Sequence, residues 1–150
     1  MGAADHLYES LLNNGMDPLF HGVRLKPGHP VTAGVMGETL VLALPGNPLA
    51  TLLTLLVLGI PALRARQGVA QPRHRVVRGS LGTPLKFRKG RSELVLGRLR
   101  EGVFLPTREN RYGSGMLTPL AESDALAIIP EDAEAMEEGA PLRILPFAGG

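Results

Sequence analysis

The sequence has no cysteine among its 150 residues, which excludes disulfides and thiolate metal sites. Its four histidines are scattered in no ligand spacing, which argues against structural zinc. A reducing, cytoplasmic setting fits that composition. No basic segment precedes the first apolar run, so no signal peptide is visible. Long hydrophobic runs are lacking too. The longest, Pro48 to Ile60, contains two threonines and falls short of the roughly 20 apolar residues of a membrane span; it predicts a buried core helix ending near Gly59 and Pro61. Aromatic residues are only 4% of the chain. Phe87, Phe104 and Tyr112 alone are interleaved with the arginines of the middle, and no nucleic-acid motif frames them, so neither nucleic acid nor membrane is a predicted partner.

What is present is the profile of a globular protein of one or two domains, 44% apolar and 20% charged. The net charge of +2 conceals an asymmetry: residues 64 to 111 carry thirteen Lys or Arg against three Glu, whereas residues 121 to 150 carry one Arg against seven acids. The plain reading is a solvated basic face partly balanced by the acidic tail. The sharper one is a basic rim around a polyanionic small molecule.

The stretch LVLALPGNPLATLLTLLVLGIPAL, residues 40 to 63, is the most informative. Leu40 to Leu44 has no polar residue and is bounded by breakers, which predicts a strand buried on both faces, as in a parallel sheet. Pro48 suits the first position of a helix and Asn47 its N-cap. PGNP therefore reads as a strand-to-helix turn, whose N–H groups favour an anion. By itself it reads more readily as a well-punctuated loop with no ligand.

Upstream, Ala4 to Asn14 predicts a helix stopped by Gly15. PLFHGVRL reads as a strand, KPGHP as a loop, VTAGV as a short strand and GE as a tight turn. After Gly68 the texture changes, and GVAQPRHR reads as a linker. RVVRGSLG, SELVLGRL, GVFLPT, DALAIIP and PLRILPF follow as short strands punctuated by Gly and Pro, which predicts a small all-β sandwich or barrel. The fold class is thus α/β plus all-β, divided into residues 1–70 and 71–150. A first region of this size cannot cover its strand on both faces. The sequence therefore predicts an incomplete α/β layer, begun at an internal methionine of a longer protein. Its helix should expose an apolar face, because the β-region could cover it only by serving two cores at once.

Four motifs, MGAADHLYESLLNNG, FHGVRLKPGHPVTAG, LALPGNPLATLLTLLVLGIPAL and NRYGSGMLTPLAESDALAIIPE, resemble in order and spacing the C-terminal half of the molybdopterin molybdenumtransferases, the MoeA and gephyrin-E family. KPGxP followed by LPGNP is the specific signature. The resemblance implies part of a three-layer molybdopterin-binding α/β domain over residues 1–70 and the family's C-terminal β-barrel domain over 71–150. It also implies insertion of molybdenum from molybdate into adenylated molybdopterin, with Mg²⁺ and release of AMP. The partner implied is a second copy or an upstream fragment.

By the same resemblance, Asp5 is a catalytic carboxylate near the metal and molybdate, a suitable ligand for a hard cation, although the same position suits a helix N-cap. Lys26 matches the lysine opening KPGxP and would meet phosphate or molybdate oxygens, where a solvated surface lysine is the plain alternative. Gly28 of that loop, the turn Pro45, Gly46, Asn47 and Pro48, and Ser114 of YGSG would bind substrate. The sequence also departs from the family. Its GGxSxG segment is represented at most by Met1 and Gly2. Gly22 and His29 stand where further lysines are usual. A non-catalytic binding or assembly module acting through a partner chain is the second expectation.

Overall fold

A computed structural model describes residues 3–113 and 115–147, the side chains of residues 3–5 excepted. Helix α1 (Ala3–Asn13) ends at Gly15, whose φ of +85° reverses the chain, with Met16 N–H donating to Leu11 O at 3.0 Å. Strand β1 (Asp17–His21) follows, then β2 (Leu25–Lys26), β3 (Thr32–Met36) and β4 (Thr39–Ala43). The expected strand PLFHGVRL is therefore broken in two. Gly22, at φ +79°, turns the chain out of β1.

β1, β3 and β4 form a three-stranded antiparallel sheet in the order β1-β3-β4. The strand expected to be parallel and buried on both faces is instead the antiparallel edge strand β4, and it is half-buried. Leu40, Val41, Leu42 and Ala43 are all partly buried, so neither face of the strand is sealed.

Helix α2 (Pro48–Thr54) passes through a π turn (Leu55–Gly59) into α3 (Ile60–Arg66), a continuous helical run of 19 residues. The expected stop at Gly59 and Pro61 does not occur. A proline in a regular helix forfeits one hydrogen bond and collides with the preceding turn. Here the π turn widens the helix just before it, with Ile60 N–H donating to Leu55 O, and Pro61 falls in the first turn of α3. The run is long and apolar enough to cross a membrane; Leu49, Ala50, Leu53 and Thr54 at its start are packed inside the protein, whereas α3 has no buried residue, so the expected buried core helix is buried only in part.

The second region supplies β5 (Val77–Leu81), β6 (Leu85–Lys86), β7 (Ser92–Arg100), β8 (Val103–Pro106), the short helix α4 (Thr118–Ala121), β9 (Ala125–Ile129), β10 (Ala135–Met136) and β11 (Pro141–Pro146). Hydrogen bonding runs β7-β8-β5-β11-β9 and returns from β9 to β7, closing a five-stranded barrel. Closure removes free edges from these short strands. Phe104, Leu81, Val95, Ile144 and Ile129 fill the interior.

β2 extends this sheet by pairing parallel with the start of β7, Leu25 opposite Ser92 and Lys26 opposite Glu93. Alternate residues of the barrel wall, Leu94, Leu96, Leu126 and Leu145, face outward and bury Leu49 and Leu53 of α2. Strands β7, β9 and β11 carry apolar residues on both faces and do serve two cores, which covers one side of the helix and leaves apolar residues exposed on the other. The two regions share one sheet and one core, although the segment 67–76 that joins them has neither helix nor strand.

Candidate functional site

The seam between α2 and the barrel positions the site. Gly28 has φ +125°, and a Cβ there would overlap Thr54 Cγ2 of the helix. The KPGHP loop thus lies directly on α2, held by Val23 N–H donating to His29 O at 2.9 Å and Gly22 N–H donating to Val31 O at 2.8 Å. On the other side, Asn47 occupies the N-cap position, but its side chain makes no capping bond. Thr51 ties the turn down instead: its hydroxyl donates to Asn47 O at 2.9 Å and to Pro45 O.

The loop, the turn and the barrel rim enclose a cavity of about 450 Å³. Lys26, Gly28, Pro45 and Asn47 line it, together with Glu93 at the start of β7 and Asn110 and Tyr112 beyond β8. Leu25, Leu49 and Leu94 supply apolar wall. This mixture of apolar surface and a few convergent polar groups is typical of small-molecule sites.

Lys26 Nζ lies 3.0 Å from Glu93 Oε1, and Asn110 Nδ2 donates to the same oxygen at 2.9 Å. The Glu93 side chain is only 9% exposed, whereas that of Lys26 is 63% exposed. The carboxylate is the fixed partner and the ammonium the reaching one. Asn110 is aimed by an uncommon backbone: Arg108, Glu109 and Asn110 are three consecutive non-glycine residues at φ 49°, 52° and 60°. Such residues persist only where their surroundings hold them. Here the guanidinium of Arg108 grips Glu122 through Nε to Oε2 at 2.9 Å and NH2 to Oε1 at 2.5 Å. Thr107 and Ser123 hydroxyls meet at 2.7 Å beside them. On the apolar side, the Tyr112 hydroxyl accepts from Leu96 N–H at 3.0 Å. Burial pushes this phenol above its ordinary pKa, the Leu96 N–H pulls it back, and the charge of Glu93 adds to the rise.

Next to the cavity, Arg88, Lys89 and Arg91 join Lys26 and Glu93 around a hollow of about 360 Å³, so a basic rim does border the site. The acidic tail partly balances the basic middle, as expected: Lys89 pairs with Glu134, Arg100 with Asp124 and Arg108 with Glu122. A larger open groove of about 900 Å³ runs past Arg64, Arg73, His74 and Arg75, but none of the expected site residues lines it.

Of those residues, the structure brings Lys26, Gly28, Pro45 and Asn47 to one cavity, with Gly46 and Pro48 in the same turn. The side chain of Asp5 and all of Ser114 lie outside the described residues. Sequence reasoning missed Glu93, Asn110, Tyr112 and Arg91. Two of them stand in the quoted motif NRYGSG, and Glu93 is the lone acid of the run KFRKGRSELVLGR, which was the available signal. Among the described residues no group of three His, Asp or Glu side chains could hold a metal ion, and the cavity's carboxylate is already paired with an ammonium. The described residues therefore do not by themselves form a closed protein cage for a metal; a magnesium ion held by one carboxylate and substrate phosphates would not need one.

Comparison with known proteins gives a consistent picture. The family model described as "MoeA C-terminal region (domain IV)" matches residues 71–147, and that described as "Probable molybdopterin binding domain" matches residues 1–65. A molybdopterin molybdenumtransferase of Synechococcus elongatus is 32% identical over 96% of the chain and 35% of its own length. A molybdopterin biosynthesis protein of Methanocaldococcus jannaschii is 27% identical over 82% of the chain and 28% of its own. Among solved structures, a molybdopterin biosynthesis MoeA protein of Pyrococcus horikoshii superposes with a TM-score of 0.78 at 25% identity, over 97% of this chain and 36% of that one. The chain spans about a third of the length of these curated relatives.

Proposed function

The chain belongs to the MoeA family, and from that premise we propose that it supplies one wall of a site for molybdenum cofactor synthesis, inserting molybdenum from molybdate into adenylated molybdopterin with release of AMP. The single observation that carries this reading is the convergence of Lys26, Gly28 and the turn 45–48 on one cavity between helix and barrel. Residues 1–70 and 71–150 act as the pterin-binding and barrel parts of that one site. Lys26 and the N–H groups at the start of α2 are suited to phosphate or molybdate oxygens, and such groups stabilise developing negative charge where water is excluded. No protein nucleophile is required. Pro45 and Pro48 answer for the rigidity of the turn, since a fixed backbone presents its N–H groups without reorganisation.

A divalent ion would neutralise phosphate and molybdate oxygens when bound, and Asp5 is its proposed ligand; no step is routed through it. In the same reading the working form is cytoplasmic, and a second copy or another fragment of the family protein completes the site.

Equilibrium binding of adenylated molybdopterin to the purified chain tests the reading. Replacing Lys26 by Ala should weaken binding about tenfold, in line with a charge-assisted contact of roughly 1.5 kcal/mol. Unchanged affinity in Lys26→Ala would remove Lys26 from the site.

A further inference from the structure

Glu93 is a buried carboxylate on the wall of the cavity, and the Lys26 pairing uses only half of it. Among the described residues both of its hydrogen bonds, from Lys26 Nζ and Asn110 Nδ2, fall on Oε1. A carboxylate oxygen offers about two lone pairs, so Oε1 is saturated while Oε2 retains its accepting capacity. This oxygen is not among the buried polar atoms that lack a partner, so it is open to the hollow it borders, where water can meet it. A cavity occupant with a donor at that point would take the water's place.

Resting on the reading given above, we propose that Glu93 recognises the pyrimidine edge of the pterin, Oε2 accepting a hydrogen bond from the exocyclic 2-amino group. The cavity is shaped for such an occupant. Tyr112, Leu25, Leu49 and Leu94 give it apolar surface for a flat ring, and Lys26 leaves a cation at its rim for the ring's anionic substituent. Asn110, held in its left-handed turn, and Lys26 fix the carboxylate so that its second oxygen keeps one position. Glu93 is then a specificity residue: it selects a 2-amino edge over a 2-oxo edge, because exchanging the amino group for oxygen sets an acceptor against an anion.

The test compares pterin (2-amino-4-oxopteridine) with lumazine (2,4-dioxopteridine), which differ at that substituent. Both are fluorescent, and the chain has no tryptophan to obscure them. The wild-type chain should bind pterin at least about tenfold more tightly than lumazine, the size of a charge-assisted hydrogen bond. In Glu93→Gln the side-chain amide can donate to the 2-oxo group, so lumazine binding should strengthen, pterin binding weaken, and the preference vanish or invert. Loss of packing alone would weaken both ligands together. The wild-type comparison decides the matter even if Glu93→Gln folds poorly. Equal affinity of the wild type for both ligands would overturn the edge assignment and leave the pterin reading standing. Failure to bind either would overturn both.

Discussion

Tyr112 closes the apolar side of the cavity and carries a structural bond as well, because its hydroxyl is the acceptor for Leu96 N–H. Tyr112→Phe should therefore destabilise the fold by about 1–3 kcal/mol, the usual cost of orphaning a buried donor, as denaturant unfolding would measure. The raised phenol sets the sign of a pH effect: folding favours the neutral form, so its contribution is complete below about pH 10, the ordinary value, and is lost as pH rises through the higher folded value. Tyr112→Phe should blunt that alkaline loss. At the other end of the scale, the hydrogen bond from Arg108 holds the Glu122 carboxyl below its ordinary range. Its contribution is present above about pH 4.5 and is lost as pH falls through the lower folded value; Glu122→Gln should flatten the acid limb of the stability profile. Unaltered acid and alkaline limbs in these variants would contradict the two assignments. Lys26 and the PGNP turn were singled out through the resemblance of KPGxP and LPGNP to a known family, since their local chemistry alone suits a surface lysine and an ordinary turn. Glu93 was not, since its meaning depends on the strand pairing that puts it opposite Lys26, and pairing is a long-range property.

Elements were legible where local rules decide them. The stop at Gly15 and all five strands expected after residue 76 are present, because positive φ and turn chemistry act within a few residues. The helix end was misread because the π turn that rescues Pro61 is set by packing, and β4 was misread because an apolar run does not reveal whether its neighbours run parallel or antiparallel. Two glycines carry element-level contacts that can be tested. At Gly28, a methyl group would meet Thr54 and take a positive φ that side chains resist, so Gly28→Ala should lift the KPGHP loop from α2 and weaken ligand binding while leaving the barrel folded. At Gly97, a Cβ would overlap the Phe104 ring and approach Leu105 O at 2.5 Å. Gly97→Ala should destabilise the barrel itself, by roughly 1–3 kcal/mol as in overpacked cores. Thermal unfolding separates the two outcomes. Equal behaviour of both variants would show that loop and barrel are not separable in this way.

At the scale of the molecule, the helical run is covered on one side only. Leu49 and Leu53 are sealed by the barrel, yet Leu52 and Leu63 are 40% and 50% exposed, and Leu55, Leu56 and Ile60 line an apolar groove with Phe147. Strand β4 leaves further apolar residues half-buried, and exposed apolar surface of this kind is suited to association. Sedimentation at micromolar concentration should show a species heavier than the 16.0 kDa chain; a clean monomer that binds no hydrophobic dye would contradict it. The chain also spans only 35% of the S. elongatus transferase, and by itself the purified chain should not turn over adenylated molybdopterin and molybdate. Whether pterin chemistry belongs to the seam between helix and barrel can be read by nuclear magnetic resonance of the isotope-labelled chain titrated with adenylated molybdopterin. Backbone shifts should cluster at Gly28, Asn47, Glu93, Asn110 and Tyr112. Shifts centred on Arg64, Arg73 and Arg75, with these five unmoved, would contradict a site at the seam.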